Sequence, residues 1–507
     1  MLSLAALCAA WALLQASGNE RQLLLLANTL WLAAGAVVVS LPLGTLLAVL
    51  VWRTDVPGRR VLLVLLAAMM FVPLYLQVAA WQVGLGRTLE ISRGGLGTAI
   101  WIQGLALTPW VAVIVGAAIR AVEPELEEEA LLWSSVSRVL LRVTLPRIAP
   151  AIGIAALWAL LSAAAEMTVT DLFRVRTYAE ELYTGFALGD EPSAVWRDVL
   201  PGVLLSVAAV LLAAVGLAAV PPALAAPLRP ARSFRLAGWR WLAGATAVIV
   251  VFIIAGIPLA NLLHQAGTVA RQAGDMRWRE WSAFHLVQTV ARSPREFQAD
   301  FGWTALIGVL SATVAVSAAI PLAWLARRGG WRALPALMVA AVGLATPGPL
   351  AGLTVIEVLN RPTPAWMAWL YDRTLAPPVL ALLVRVLPIA LLVCWHALRS
   401  VADDVLESAA SEGAGPVVRC LWIAVPQRWA ALGAAWLVAF AIAAGDLTYT
   451  SLVVPPGVKT VPIRVFGFAH TGVDDQAAGL CLTALAGYAA VAALACWLWS
   501  RWRAPTP

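Results

Sequence analysis

The sequence predicts an all-α integral membrane protein, with about twelve transmembrane helices built as two parallel six-helix repeats. Three observations lead there: an apolar composition, a set of runs long enough to cross a bilayer, and a register in which the chain matches itself. Hydrophobic residues make up 61% of the 507, charged residues only 12%, and the mean hydropathy is +0.84. A soluble domain carries nearer a quarter charged residues, so these charges are too few to tile a water-facing surface. The same balance excludes a disordered chain, a collagen-like repeat and a disulfide-stapled secreted scaffold.

A bilayer-crossing helix takes about 20 mostly apolar residues. Such runs occupy roughly 2–18, 27–52, 61–84, 96–119, 150–172, 198–225, 239–263, 303–325, 333–358, 376–398, 430–454 and 478–500. The first is short enough for a signal-peptide core. It lacks the basic stretch with which such a peptide begins, and it is read as an uncleaved span. Pro73, Pro347 and Pro349 interrupt the third and ninth runs, which transporters tolerate where a helix lines a cavity. The 25 tryptophans suit interfacial belts and packing rather than a stacking site.

The net charge is +7, and all 35 basic residues are arginine except Lys459. A Walker A loop needs a lysine at a fixed spacing from two glycines. The segment Pro455-Pro456-Gly457-Val458-Lys459-Thr460 lacks that spacing, so no nucleotide-binding loop is expected in this chain. The arginines are scattered over short loops, which speaks for topology rather than for nucleic acid. Arg53, Arg59 and Arg60 follow the second run, Arg229, Arg232, Arg235 and Arg240 the sixth, and Arg327, Arg328 and Arg332 the eighth. All three loops fall on one side, which the concentration of basic residues makes cytoplasmic. Both termini then lie inside. The five cysteines and four histidines show no metal-ligand spacing, and the cysteines read as packing residues.

At an offset of 280 residues the chain aligns with itself without a gap. Glu127 meets Glu407, Pro146 meets Pro426, Glu166 meets Asp446, Thr168 meets Thr448 and Thr170 meets Thr450. An even number of spans separates the copies, so both have the same orientation: a parallel duplication rather than an inverted one.

The repeated loop has a physical sense of its own. In the second copy, Glu407-Ser408-Ala409-Ala410-Ser411-Glu412-Gly413-Ala414-Gly415-Pro416 leads on to Ile423-Ala424-Val425-Pro426. Asp403, Asp404 and Glu407 favour a helix N-terminus, and the stretch from Gly413 to Pro416 ends that helix and turns the chain. A short helix is thus presented on the cytoplasmic face, suited to a groove on a partner. The first copy begins Glu127-Glu128-Glu129-Ala130-Leu131-Leu132-Trp133, with tryptophan where the second has glycine, and closes on Val143-Thr144-Leu145-Pro146.

This pattern resembles the EAA loop of ABC-transporter permeases. Two halves with one such loop each look like fused permeases of the ferric-iron uptake group, of the type I importer, MetI-like fold; the segment Arg176 to Tyr183 is similar to that group as well. The resemblance implies that each loop docks on one copy of a separate ATPase subunit, which binds the ATP, and that an extracytoplasmic solute-binding protein delivers the substrate. It implies a bacterial plasma membrane and no nucleic-acid partner. Carried over by position, the coupling residues are Glu127, Ala130 and Pro146 in the first loop and Glu407, Ala409, Gly413 and Pro426 in the second. The first half is expected over 1–226 with its loop at 121–149, a cytoplasmic linker over 227–238, and the second half over 239–507 with its loop at 400–429. Ferric iron is the implied substrate; thiamine, molybdate or sulfate, and phosphonate permeases share the architecture.

Glu166 and Asp446 stand at membrane depth, where an ionisable group is costly and faces the bundle interior. Threonines two and four residues beyond each acid fall on different helix faces, so unwound backbone is expected. Either Glu166, Thr168, Asp446 and Thr448 line a translocation path for a cationic substrate, or the acids close structural hydrogen bonds. Arg385, in the tenth run, either pairs with an acid or snorkels. An ion-coupled secondary transporter would explain the acids but not the loops. A membrane-embedded enzyme would need a His/Asp/Glu or Ser/His constellation that the spans lack.

Overall fold

The computed structural model describes residues 20–70, 72–82, 95–120, 122–187, 207, 233–273, 276–361 and 363–503, with backbone only at 82, 270–273, 276–278, 474 and 499–503. The predicted runs at 2–18 and, but for residue 207, at 198–225 lie outside the described residues. Within them the protein is all-α, with a single two-stranded hairpin. Among the described residues six helices are long and apolar enough to cross a membrane, and up to ten spans result if each of four bent helix pairs counts as one.

The chain divides into two compact units: residues 1–178 with 212–286, and residues 179–211 with 287–507. In the first, α1 (Glu20–Arg53) lies along α4 (Leu96–Ile119), with α6 (Ala149–Ala164) against both. Helices in lipid gain little from hydrophobicity and associate through close packing at small residues. Here Gly44 of α1 faces Val111, and Gly104 and Gly116 of α4 face Val39 and Trp52; a Cβ at each glycine would stand 2.6, 2.6 and 2.8 Å from those side chains. The pair α2 (Arg59–Met70) and α3 (Leu74–Gln82) is bent at Pro73. Between α4 and α6 runs the first elbow, α5 (Pro124–Trp133), followed by a π-helical turn at Leu140–Thr144.

The helix α7 (Ala237–Ala266) joins this same unit. Its Ala247, Val250, Val251 and Ile254 share a core with Leu62, Leu66 and Val78, and the Asn261 amide donates to the Ala80 carbonyl at 2.9 Å. The repeat assigns this span to the second half, yet it packs on the first. A hairpin follows, β1 (Thr268–Ala273) with β2 (Met276–Trp281) in antiparallel register, and then the amphipathic α8 (Ala283–Glu296). Both fall between the predicted runs at 239–263 and 303–325.

In the second unit α9 (Gln298–Ala326) packs on α12 (Ala376–Arg399) and α14 (Trp429–Ala444), again over small residues: Ala312, Ala315, Ala319 and Ala323 are buried. The ninth run is two helices, α10 (Leu334–Ala345) and α11 (Gly348–Leu359), bent by 108° at Pro347. The second elbow, α13 (Asp403–Ser411), leads into a π-helical turn at Arg419–Ala424. After α14 come α15 (Val461–Thr471) and the long α16 (Asp474–Arg503). Asp300 at the start of α9 holds Arg464 of α15 through two hydrogen bonds of 2.7 and 3.2 Å.

The duplication is a structural repeat among the described helices. Both ends of α4 and α12, and both ends of α6 and α14, are shifted by the same 280 residues. The sequence places the ends of the fifth and eleventh spans at 172 and 454; the helices stop at Ala164 and Ala444, just before the acids.

Candidate functional site

The two elbows are built from the same parts but joined to their units differently. In the first, Pro124 opens α5, where its missing N–H is no loss. Glu127 is fully buried. Its carboxylate lies 3.2 Å from a guanidinium nitrogen of Arg53, the last residue of α1, and accepts a 2.7 Å hydrogen bond from the Thr144 hydroxyl. Arg147 holds Glu123 at 3.1 and 3.2 Å nearer the surface. Ala130 is half-buried and Pro146 exposed. The helix ends at Trp133, with Leu132 and Trp133 pointing outward, 78% and 85% exposed. Glu127, a docking residue by resemblance, is enclosed in this structure between Arg53 and Thr144.

In the second elbow Glu407 is exposed. Here the cation at the end of the first span, Arg327, pairs with Asp403, the first residue of α13, at 2.6 Å, and caps the carbonyls of Leu398 and Val401. The helix ends as the sequence implies. Gly413 has φ +87°, its N–H reaches the Ala410 carbonyl, and the Ala414 N–H reaches Ala409 at 2.9 Å. That is a left-handed helix stop with its six-to-one hydrogen bond. Ala409 is half-buried and Pro426 exposed.

Two of the three arginine-rich loops, both in the first unit, meet. Phe234 N–H donates to the Arg53 carbonyl at 2.7 Å, Asp55 N–H to the Phe234 carbonyl at 3.2 Å, and Leu236 N–H to the Asp55 carboxylate at 2.9 Å. Arg53 also reaches Glu127, and Arg327 reaches Asp403. Each elbow therefore lies on the face of its unit that carries the arginine-rich loop of the same unit.

Both acids sit where their helix has unwound, and both are buried. Glu166 folds back on its own turn, accepting from the Thr168 N–H at 3.0 Å and the Thr168 hydroxyl at 2.6 Å. Asp446 accepts from the Tyr449 N–H at 2.7 Å, and its other oxygen lies 3.7 Å from Arg385 of α12. The Arg385 guanidinium lies 5.6 Å from the centre of the Tyr449 ring, and the Tyr449 hydroxyl donates to the Thr346 carbonyl at the bend between α10 and α11. Thr448 packs on Gly348 of the same bend, where an added Cβ would come 2.9 Å from the Thr448 carbonyl carbon. The unwound turn after α14 thus locks onto the bent span. Sequence reasoning missed the partners Arg53, Thr144, Arg327 and Tyr449. Only the arginines left a trace, read there as topology.

The class these features define is a polytopic helical membrane protein of two repeats, each with a bent span, an elbow on one face and a buried acid at a helix break. In sequence, the chain is similar to the "Putrescine transport system permease protein PotI" of Escherichia coli strain K12, 28% identical over 158 residues. The protein of the same name in the O6:H1 strain matches equally. The match covers 31% of this chain and 56% of the relative, so the chain spans little more than half of those permeases. No family model matches the chain.

Proposed function

We propose that this chain is the membrane-spanning permease of an ATP-binding-cassette importer, with both permease halves fused in one polypeptide. It sits in a bacterial plasma membrane with both termini cytoplasmic. Two copies of a separate ATPase drive it from the elbow side, and an extracytoplasmic binding protein feeds it from the other. The observation that carries this reading is the pair of elbows at one 280-residue register, each held by an arginine to the end of a long span. A helix so attached passes a displacement into the bilayer segment rather than flexing as a loop. The bent spans and unwound turns supply the two-arrangement elements that alternating access needs. Likeness to a transport permease supports the same reading.

The solute is a cation in this proposal. The resemblance points to ferric iron, whereas the similar permease is named for putrescine; both carry positive charge, and Glu166 offers a carboxylate at the unwound turn. The deciding experiment is reconstitution in proteoliposomes with the ATPase and binding protein encoded beside the gene. ATP-dependent uptake of labelled putrescine or ferric iron is expected, with the preferred solute read from competition. Solute flux through the chain alone, driven by an ion gradient, would replace this reading with a secondary carrier.

A further inference from the structure

Three parts of the first unit converge on Arg53. Its side chain meets Glu127 of the first elbow, and Thr144, beyond the elbow, adds its hydroxyl to the same carboxylate. Its carbonyl accepts from Phe234 of the linker, a residue 2% exposed, and Leu236 is pinned to Asp55 two residues on. The linker runs directly into α7, which packs on α2 and α3. In the second elbow the arginine at the end of α9, Arg327, holds Asp403 at the start of α13 and not the glutamate. The register partners of Arg53 and Thr144 are Ala333 and Ala424, and Glu407 faces outward. A fully buried carboxylate with a guanidinium and a hydroxyl against one of its oxygens is not presented to another protein.

We infer that Glu127 is a positioning residue: with Arg53 and Thr144 it clamps the first elbow to the end of α1 and, through Phe234, to the linker. The elbow, α1 and α7 then move as one body, and Glu407 is left as the elbow glutamate that meets the ATPase. This rests on the permease reading above, and it makes the two elbows unequal: one locked inward by its acid, the other docking through it.

The test has two arms. In the purified full-length chain, the melting temperatures of Arg53→Gln, Glu127→Gln and the double variant form a cycle. The clamp predicts that the double variant melts no lower than the worse single one; additive losses would overturn it. In membranes containing the ATPase, Glu407→Gln is expected to release the ATPase on purification. Arg53→Gln and Glu127→Gln are expected to retain it while uptake per ATP hydrolysed falls several-fold. If Glu127→Gln strips the ATPase as Glu407→Gln does and Arg53→Gln does not, the inference is wrong. Should the charge variants not fold, Thr144→Ala, which copies Ala424, and Phe234→Ala replace them with the same expected signature: ATPase kept, coupling ratio lowered. A wild-type chain that holds no ATPase would sink the permease reading, while the melting cycle would still decide the clamp.

Discussion

Glu166 and Asp446 share a register but keep different company, and that difference sets what each is worth. Glu166 caps its own turn through Thr168; Asp446 caps Tyr449 and also faces Arg385, whose register partner is Leu105. Asp446→Asn keeps an oxygen for the Tyr449 N–H, so a stability loss of at most about 1 kcal/mol is expected, whereas Asp446→Leu strands a buried donor at about 1–3 kcal/mol. Thermal unfolding of the detergent-purified chain measures both. The uptake assay that tests the proposed permease role separates the two: wild-type uptake by Asp446→Asn would leave the acid as a turn cap, and a several-fold loss at unchanged stability would put its charge on the solute path. At this scale the sequence singled out the two acids and expected unwound backbone beside them, and the backbone is unwound there. It left Arg385 either pairing with an acid or snorkelling, because the contact that decides joins residues 61 apart in the chain.

Elements were legible where local chemistry decides them. The run at 96–119 is a helix over those same residues, and the acidic start and Gly413 stop of the second elbow were readable from residue type alone. Gly413→Ala meets no neighbour but holds a side chain at φ +87°, so a loss of about 1–2 kcal/mol is expected, seen as a lower melting temperature. Gly44→Ala acts differently. It keeps helical backbone but places a methyl 2.6 Å from Val111 and 3.0 Å from the Ala112 nitrogen, so α1 and α4 must part, at about 1–3 kcal/mol. The first elbow shows the limit of local reading. Trp133 in place of glycine marks a departure, and α5 does end there without a left-handed residue. That Glu127 turns inward was invisible, since the cation holding it lies at the end of another span.

Across the whole molecule, the compact units do not follow the boundaries of the duplication. The linker and α7 belong with the first unit although the repeat places α7 in the second half. Expressed as two polypeptides, 1–226 and 227–507, the chain is therefore expected to co-purify through α7 on α2 and α3. Asn261→Leu removes the hydrogen bond to Ala80 and is expected to weaken that association by about 0.6–1.7 kcal/mol, measured as the salt- and detergent-resistant fraction in a pull-down. Fragments that separate from the outset would remove α7 from the first unit.

Composition, span length and the 280-residue register determined by themselves an all-α membrane chain made of two copies with one elbow each. Those properties are additive along the chain: hydropathy, helix length and turn chemistry are decided within a few residues. Which elbow acid is enclosed, which cation meets Asp446 and which unit claims α7 were decided only in three dimensions. Each depends on helices remote in sequence, brought together by close packing at small side chains, which no local pattern encodes.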